Sequence, residues 1–420
     1  MGGALRVILQ LIGRLGVILF AFQWMWMALG ALKDGYSRKK INALVVFFVF
    51  IYIILVIKLV TIQELGNGIF FAIYSIAVSF YILSRFFLSY IYHPKEESFK
   101  QEYFPTVSFG VPSKNEGEAI RETIMRIAQS DYPIDKFDII AVNDGSDDNT
   151  LDEMLAAQEE ARRIGVGVTV VDWKQNKGKR EGMAECIRRS QKEIIIFIDS
   201  DSFVKKNTAK ELVKYFLDSK VAAVAGHAYV TNADTNYLTK MQDVRYYVAF
   251  KAYKSAESFF GSVMCCSGCC SAYRRSYLME ILDPWLKQTF LGVLCTYGDD
   301  RSLTNFLLKK GYKTMFSPNA IAFTAVPDTF RKFMKQQFRW KKSWVRESLL
   351  AGMFMWKKNP IMSLSFYLGV ILPVLAPVIV FRALIWYPTA IGLLPWFYLI
   401  GLVLMAVVYG LYYYIYTGDK

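Results

Sequence analysis

Apolar and charged residues are segregated along this chain, and that segregation limits the fold more than any single motif. Long apolar runs fill the first ~90 and the last ~60 residues, and the charged residues fill the middle. This pattern reads as a membrane protein with a globular domain held between membrane segments. A hydrophobic share of 54%, with 16% aromatic residues, is too apolar for an ordinary soluble enzyme. The length of 420 residues leaves room for one large domain plus those segments.

The expected regions are 1–93 (membrane), 94–328 (globular), 329–360 (amphipathic and basic) and 361–420 (membrane). In the first, Leu5 to Leu32 is apolar except for Arg6, Gln10 and Arg14 on one helical face, so it either spans or lies in the interface. It lacks a signal-peptide cleavage site. Ile41 to Ile62, with Lys58 near one end, and Ile69 to Tyr92, with Arg85 in its last third, are spanning candidates. Lys33, Arg38, Lys39 and Lys40 occupy the first loop, while Gln63 to Gly68 holds no cation, which places the globular domain in the cytoplasm at the cell membrane. Ile361 to Trp386 and Thr389 to Tyr416 form the last two spans, and Pro373 and Pro377 should kink the first of them.

The middle alternates strand and helix. Strands are expected at Val107 to Val111, Phe137 to Val142, Val166 to Val171 and Val221 to Ala225, with helices over Glu118 to Gln129, Leu151 to Ile164, Gly182 to Ser190 and Arg301 to Lys309. The fold class is α/β, a mostly parallel, doubly wound sheet. A further buried strand, Glu193 to Ile198, runs straight into Asp199-Ser200-Asp201. Ligands of such sheets sit beyond the carboxyl ends of the strands, and alternate residues point the same way. Asp199 and Asp201 can therefore share a divalent cation, or else form a solvated turn.

The formal charge of +14 has no nucleic-acid module to accompany it. A lipid bilayer surface and a phosphate-bearing substrate account for it better, since the densest basic run, Lys332 to Lys342, adjoins a membrane segment. Cys265, Cys266, Cys269 and Cys270 look like a doubled CxxC, but His93, His227, Cys186 and Cys295 stand at no zinc-ligand spacing, so the thiols read as reduced and packed.

Four further stretches carry chemistry. Asp144-Gly145-Ser146-Asp147-Asp148-Asn149 is a strand-to-helix turn that either contacts a nucleotide or caps the next helix. Asn176-Lys177-Gly178-Lys179-Arg180 suits a diphosphate or a solvated basic turn. Gly298-Asp299-Asp300-Arg301 precedes a helix; capping accounts for one acid, and the other is placed to accept a proton from a sugar hydroxyl. Gln336-Gln337-Phe338-Arg339-Trp340 lies on the basic amphipathic stretch, where Arg suits phosphate and Trp a sugar face, or a membrane surface.

Together with Val111-Pro112-Ser113-Lys114-Asn115-Glu116, these motifs stand in an order that resembles the processive, membrane-embedded family 2 glycosyltransferases with a GT-A fold. Within that group the runs Thr235 to Thr239, Gln288 to Gly292, Gly298 to Asn305 and Gln336 to Glu347 are most similar to the hyaluronan synthases. The resemblance implies UDP-GlcNAc and UDP-GlcA as donors, a growing polysaccharide as acceptor, and Mg²⁺ or Mn²⁺. It further implies that Pro112, Glu116, Asp144, Lys179 and Arg180 hold the uridine diphosphate, with Asp199 and Asp201 on nucleotide and metal, Asp201 as the direct ligand. Asp300 would be the general base and Asp299 its neighbour. Arg339, supported by Gln336, would bind the diphosphate, Trp340 would stack on the acceptor, and Ser267-Gly268, beside Cys266, would line its site. A synthase of chitin type using UDP-GlcNAc alone is the alternative, and a silent membrane scaffold the non-enzymatic one. The chain departs from the family pattern at Asn143, where Asp is usual, and at Cys269, where proline is usual. The resemblance also implies a further membrane helix and a Trp-Gly-Thr-Arg-like segment, beyond what is found up to Lys420.

Overall fold

The computed structural model describes residues 69–92, 103–392, 394 and 396–417. The expectations for Leu5 to Leu32, Ile41 to Ile62 with Lys58, the basic first loop, and His93 lie outside the described residues. The chain divides into two compact units, Met1–Ser84 with Tyr367–Lys420, and Arg85–Phe366.

The larger unit is an eight-stranded sheet with helices on both faces. Its first half alternates regularly: β1 (Val107–Ser113), α2 (Ala119–Ala128), β2 (Phe137–Asp144), α3 (Thr150–Arg163), β3 (Gly167–Trp173), α4 (Lys179–Arg189) and β4 (Ile194–Phe197), all preceded by α1 (Ile69–Ile91). Then follow β5 (Phe203–Val204), α5 (Thr208–Val213), β6 (Val221–Val230), α6 (Tyr237–Val248), a π-helical stretch (Ala249–Lys254), α7 (Ser255–Ser258) and β7 (Ser271–Arg274). The unit is completed by α8 (Arg275–Leu286), the small hairpin β8 (Thr289–Phe290) and β9 (Val293–Leu294), α9 (Asp299–Lys309), β10 (Lys313–Thr324) and α10 (Phe330–Met355).

Strand order is β3-β2-β1-β4-β7-β6-β10-β5. The parallel pairings of β3, β2, β1 and β4 follow the sequence expectation, and β10, a strand the sequence reading did not place, pairs parallel with β6. Between the two sets sits β7, antiparallel to both β4 and β6, and β5 is antiparallel to β10, so the sheet is mixed. β4 has an unbroken apolar sequence because both its faces are covered: Ile194, Ile196 and Ile198 enter one core, Ile195 and Phe197 the other. Fully burying five such side chains contributes roughly 1.5–3 kcal/mol each. That leaves the strand's carboxyl end as the place where Asp199 and Asp201 emerge.

α11 (Pro360–Phe381), which belongs to the smaller unit from Tyr367 onward, continues through Pro373 and Pro377, and its irregular turn, a π stretch at Arg382–Trp386, comes only afterwards, leading into α12 (Tyr387–Ile391). α13 is Trp396–Thr417. By length and composition, Pro360–Ala390 and Tyr398–Thr417 are each long and apolar enough to cross a membrane. Thr389 lies within the first of these two apolar stretches, because the helical path breaks only at Gly392, whose φ of 74° is left-handed.

Candidate active site

The cleft is built at the carboxyl ends of β1, β2 and β4. β2 runs two residues further than its apolar stretch, to Asp144, which is buried. The Asp144 carboxylate accepts the backbone N–H of Lys177 (2.6 Å) and of Gly178 (2.9 Å), pinning the loop ahead of α4. Both oxygens thus organise the basic loop. Asn143 donates from Nδ2 to Asp172 (2.8 Å) and accepts from Ser146 N–H (3.2 Å). An Asp at 143 would meet the Asp172 carboxylate without a donor, which is why this departure is accommodated.

Pinning the loop starts α4 at Lys179, three residues earlier than the sequence suggested. Successive helical residues diverge by about 100°, so Lys179 and Arg180 point apart. Lys179 enters the cleft and donates to Asp199 Oδ1 (2.5 Å). Arg180 turns inward, with its side chain 7% exposed, and bonds Asp299 Oδ1 (2.7 Å), the Trp285 carbonyl (3.1 Å) and Gln288 Oε1 (3.4 Å). The sequence expectation put Arg180 on the diphosphate; here its Nε and Nη1 are engaged in the interior, while Nη2 is buried without a partner among the described residues. Pro112 is likewise buried on β1, packed opposite Gly182 of α4.

Asp199-Ser200-Asp201 follows β4 directly. Burial, then the neighbouring Asp199 carboxylate, raises the pKa of Asp201, against a smaller opposing effect of Lys179. Glu116 accepts from Ser200 Oγ (2.8 Å), and burial followed by Asp201 and Asp199 holds its carboxyl above the ordinary value. Three mutually repelling carboxylates make a locus that attracts cations.

Across the cleft, α9 begins two residues earlier than expected, which puts Asp299 and Asp300 in its first turn. Its N-cap, Gly298, has φ 78°, and a Cβ there would overlap Ser343 Oγ on α10, so only glycine fits. Asp299 is buried on Arg180. Asp300 faces the cleft: Oδ2 accepts the Gly268 N–H (2.9 Å), while Oδ1 is buried with no partner among the described residues. Burial raises the Asp300 pKa, Lys179 pulls it back, and Asp199 and Asp299 raise it again, leaving it above the ordinary value. For Lys179, burial acts to lower the pKa, but Asp199 and Asp300 outweigh it and the ammonium is stabilised.

Gly268 is the point where these groups converge. A Cβ on it would lie 2.8 Å from Asp199 Oδ1, 2.9 Å from Lys179 Nζ and 3.0 Å from Asp300 Oδ2. Its neighbour Ser267 accepts from Lys254 Nζ (2.6 Å), and the Cys266 N–H donates to Thr304 Oγ1 (3.0 Å). Cys269, in the position usual for proline, is buried, and burial pushes its thiol up to about 12. All six cysteines are free, as the sequence suggested.

On α10, Gln336 is half-buried with Oε1 unpartnered among the described residues, and Arg339 is exposed. Trp340 is 40% exposed, its ring 6.2 Å from that of Tyr246 on α6. Burial, and then Cys269, raises the Tyr246 pKa, with smaller contributions from Asp199 and Asp201. Sequence reasoning missed Tyr246 and Lys254, which stand in no motif; only their neighbourhood in space marks them. Among the described residues, Arg339 makes no hydrogen bond or ion pair with the acidic cluster.

No set of three or more His, Cys, Asp or Glu side chains is arranged to hold a metal among the described residues. The donors at Asp199 and Asp201 nevertheless fit Mg²⁺ or Mn²⁺. They are hard oxygens, adjacent enough to perturb each other, and Asp199 already attracts the Lys179 ammonium as a stand-in cation. Such ions bind through one or two carboxylates and take their remaining ligands from substrate phosphates and water.

Comparisons with known proteins agree with this architecture. The glycosyltransferase like family 2 profile matches residues 105–343. The hyaluronan synthase of Streptococcus pyogenes is 35% identical over 285 residues, 66% of this chain and 66% of that protein, just under two thirds of its length. An N-acetylglucosaminyltransferase of Azorhizobium caulinodans is 36% identical over 250 residues, 59% of this chain and 62% of that protein. In fold, the chain is similar to a mannosyltransferase from Pyrobaculum calidifontis solved in complex with GDP-Man and Mn²⁺, with a TM-score of 0.56 and 22% identity, covering 82% of this chain and 92% of that one. With its GT-A-like mixed sheet, its acids at the end of β4 and a matching profile over more than half its length, the chain belongs to the glycosyltransferase like family 2.

Proposed function

We propose that this protein is a membrane-bound, inverting, processive glycosyltransferase that polymerises UDP-sugars, alternating UDP-GlcNAc and UDP-GlcA to make hyaluronan. The observation that carries the catalytic reading is Asp300, which converges with Lys179 and Asp199 on Gly268, with Oδ2 held by the Gly268 N–H and Oδ1 buried without a partner among the described residues. A group so placed, with its proton affinity raised by burial and by Asp199 and Asp299, suits a general base.

In the step proposed, an acceptor hydroxyl gives its proton to Asp300 Oδ1 as its oxygen bonds the anomeric carbon. The bond from that carbon to UDP breaks on the opposite side, and the electron pair leaves with the diphosphate. One base suffices for this inverting transfer, unlike the paired carboxylates of a hydrolase. Lys179, in the cleft beside Asp199, offsets charge developing on the diphosphate, and Arg339 on α10 supplies a forked donor for it. Trp340 with Tyr246 offers flat faces to a sugar ring, and Ser267-Gly268 lines the acceptor side. A divalent ion held by Asp199 and Asp201, with Asp201 as the direct ligand, would act as a Lewis acid on the diphosphate when bound. The spans Pro360–Ala390 and Tyr398–Thr417 support membrane attachment.

Similarity to N-acetylglucosaminyltransferases favours a second reading, a polymer of N-acetylglucosamine made from UDP-GlcNAc alone. Purified protein with Mn²⁺, given UDP-GlcNAc, UDP-GlcA or both, separates the two by UDP release and polymer formed. Polymer only with both donors is the expected result. Polymer from UDP-GlcNAc alone would favour the second reading, and no turnover with any UDP-sugar would overturn both.

A further inference from the structure

A chain of buried polar side chains runs from α10 to the first turn of α9, and neither the diphosphate nor the acceptor site accounts for it. Its centre is Glu347, fully buried on α10. Glu347 accepts from Arg346 Nε (2.8 Å), from Gln288 Nε2 (3.1 Å) and from Asn305 Nδ2 (3.0 Å); Asn305 Nδ2 also reaches the Glu347 carbonyl at 3.0 Å. Gln288 Oε1 in turn accepts from Ser302 Oγ (2.5 Å) and from Arg180 Nη1 (3.4 Å), and Arg180 Nε holds Asp299. Gln288, Ser302, Asn305, Arg346 and Arg180 are all buried.

The electrostatics require such an arrangement. Arg180 is a guanidinium in a dry interior, and an isolated charge there is costly unless paired and hydrogen-bonded. Asp299 pairs it on the side facing Asp300, and Gln288 and the Trp285 carbonyl engage it on the other. Gln288 has one amide with two ends, and each end is committed: its oxygen to Ser302 and Arg180, its nitrogen to Glu347. It can satisfy both only in one position, so it transmits the placement of α10 to Arg180. The same α10 carries Gln336 about three turns, and Arg339 and Trp340 about two turns, before Glu347. Ser302 and Asn305 lie on α9 itself, one and two turns after Asp299, and lock that helix's rotation against α10. Asp300 follows Asp299 on the same turn, so its aim into the cleft is set by how Asp299 is held.

We propose that Gln288 and Glu347 are positioning residues, which through Arg180 and Asp299 hold Asp300 in register with the diphosphate- and acceptor-facing side chains of α10. This rests on the transferase reading above. Neither residue touches the reacting atoms; each acts through the geometry of the base.

The test compares Gln288→Met, which keeps the length of the side chain without its hydrogen bonds, with the milder Ser302→Ala, which removes only one anchor of Gln288. Wild type and variants, purified in the same detergent with Mn²⁺, are assayed for UDP release with both donors, and for UDP binding by calorimetry. Misplacement of a base by about 1 Å costs on the order of 100-fold. The expected result is a kcat lowered roughly 10- to 100-fold in Gln288→Met and less in Ser302→Ala, with KM for the donors and the Kd for UDP within about 3-fold of wild type. A merely structural role would lower the melting temperature and the active fraction but leave kcat per folded molecule unchanged. If wild type turns over and Ser302→Ala and Gln288→Met retain its kcat, or lose only KM, the positioning role is overturned while the transferase reading stands. If wild type itself turns over no UDP-sugar, the transferase reading falls.

Discussion

Replacing Asp300 by asparagine separates base chemistry from binding in one atom. Asparagine keeps an oxygen to accept the Gly268 N–H, now 2.9 Å from Oδ2, and exchanges the unpartnered Oδ1 for an amide nitrogen that cannot take a proton. Lys179 loses one of the carboxylates that stabilise its charge but keeps its 2.5 Å bond to Asp199. Asp199, Asp201 and Asp144 are untouched, so the expected nucleotide pocket survives. Loss of a general base lowers rate by about 10²- to 10⁴-fold, or roughly 3–5 kcal/mol of barrier at 1.36 kcal/mol per decade. The expected outcome is that UDP release falls by that factor, while calorimetry with UDP and Mn²⁺ gives a Kd within about 3-fold of wild type. Transfer within tenfold of wild type would refute the assignment of the base. So would loss of UDP binding, which would make Asp300 a binding residue.

Three other outcomes follow from the same geometry. Asp300 must be ionised to accept a proton, and burial with Asp199 and Asp299 raises its pKa against the pull of Lys179, so kcat should fall as pH drops through a value above the ordinary 3.8; an acid limb at or below that value would contradict the environment described. Gly268→Ala places a Cβ within 3.0 Å of Asp199, Lys179 and Asp300 together, so turnover should drop on the order of 100-fold, with circular dichroism unchanged and the melting temperature close to wild type. Chelation with EDTA should abolish UDP release and added Mn²⁺ or Mg²⁺ restore it, whereas Asp201→Asn should resist restoration; full activity in EDTA would remove the metal from the reading of Asp199 and Asp201.

Much of the architecture is legible in the amino-acid order. Strands buried on both faces have unbroken apolar sequences, so Ile194 to Ile198 announced β4, and the two acids after it announced the cleft. The alternation up to β4 identified the parallel half of the sheet, because parallel strands need a crossover between them and the helices were visible in the pattern. β7 was not visible in that way: its four residues, Ser271–Arg274, pair antiparallel to strands far away in the chain, and nothing local records those partners.

What the amino-acid order determined by itself was therefore the set of chemical groups and the element ends that carry them: Asp199 and Asp201 after a strand, Asp299 and Asp300 at a helix start, Lys179 and Arg180 side by side. What those groups face was decided by the tertiary structure. Lys179 and Arg180 are adjacent and alike in charge, yet one meets Asp199 in the cleft and the other Asp299 in the core. The difference arises because Asp144, some 33 residues earlier, pins the loop and sets where α4 begins. One residue along a helix is a turn of about 100°, so that starting point selects the cation that reaches the cleft, and a distant carboxylate is what selects it.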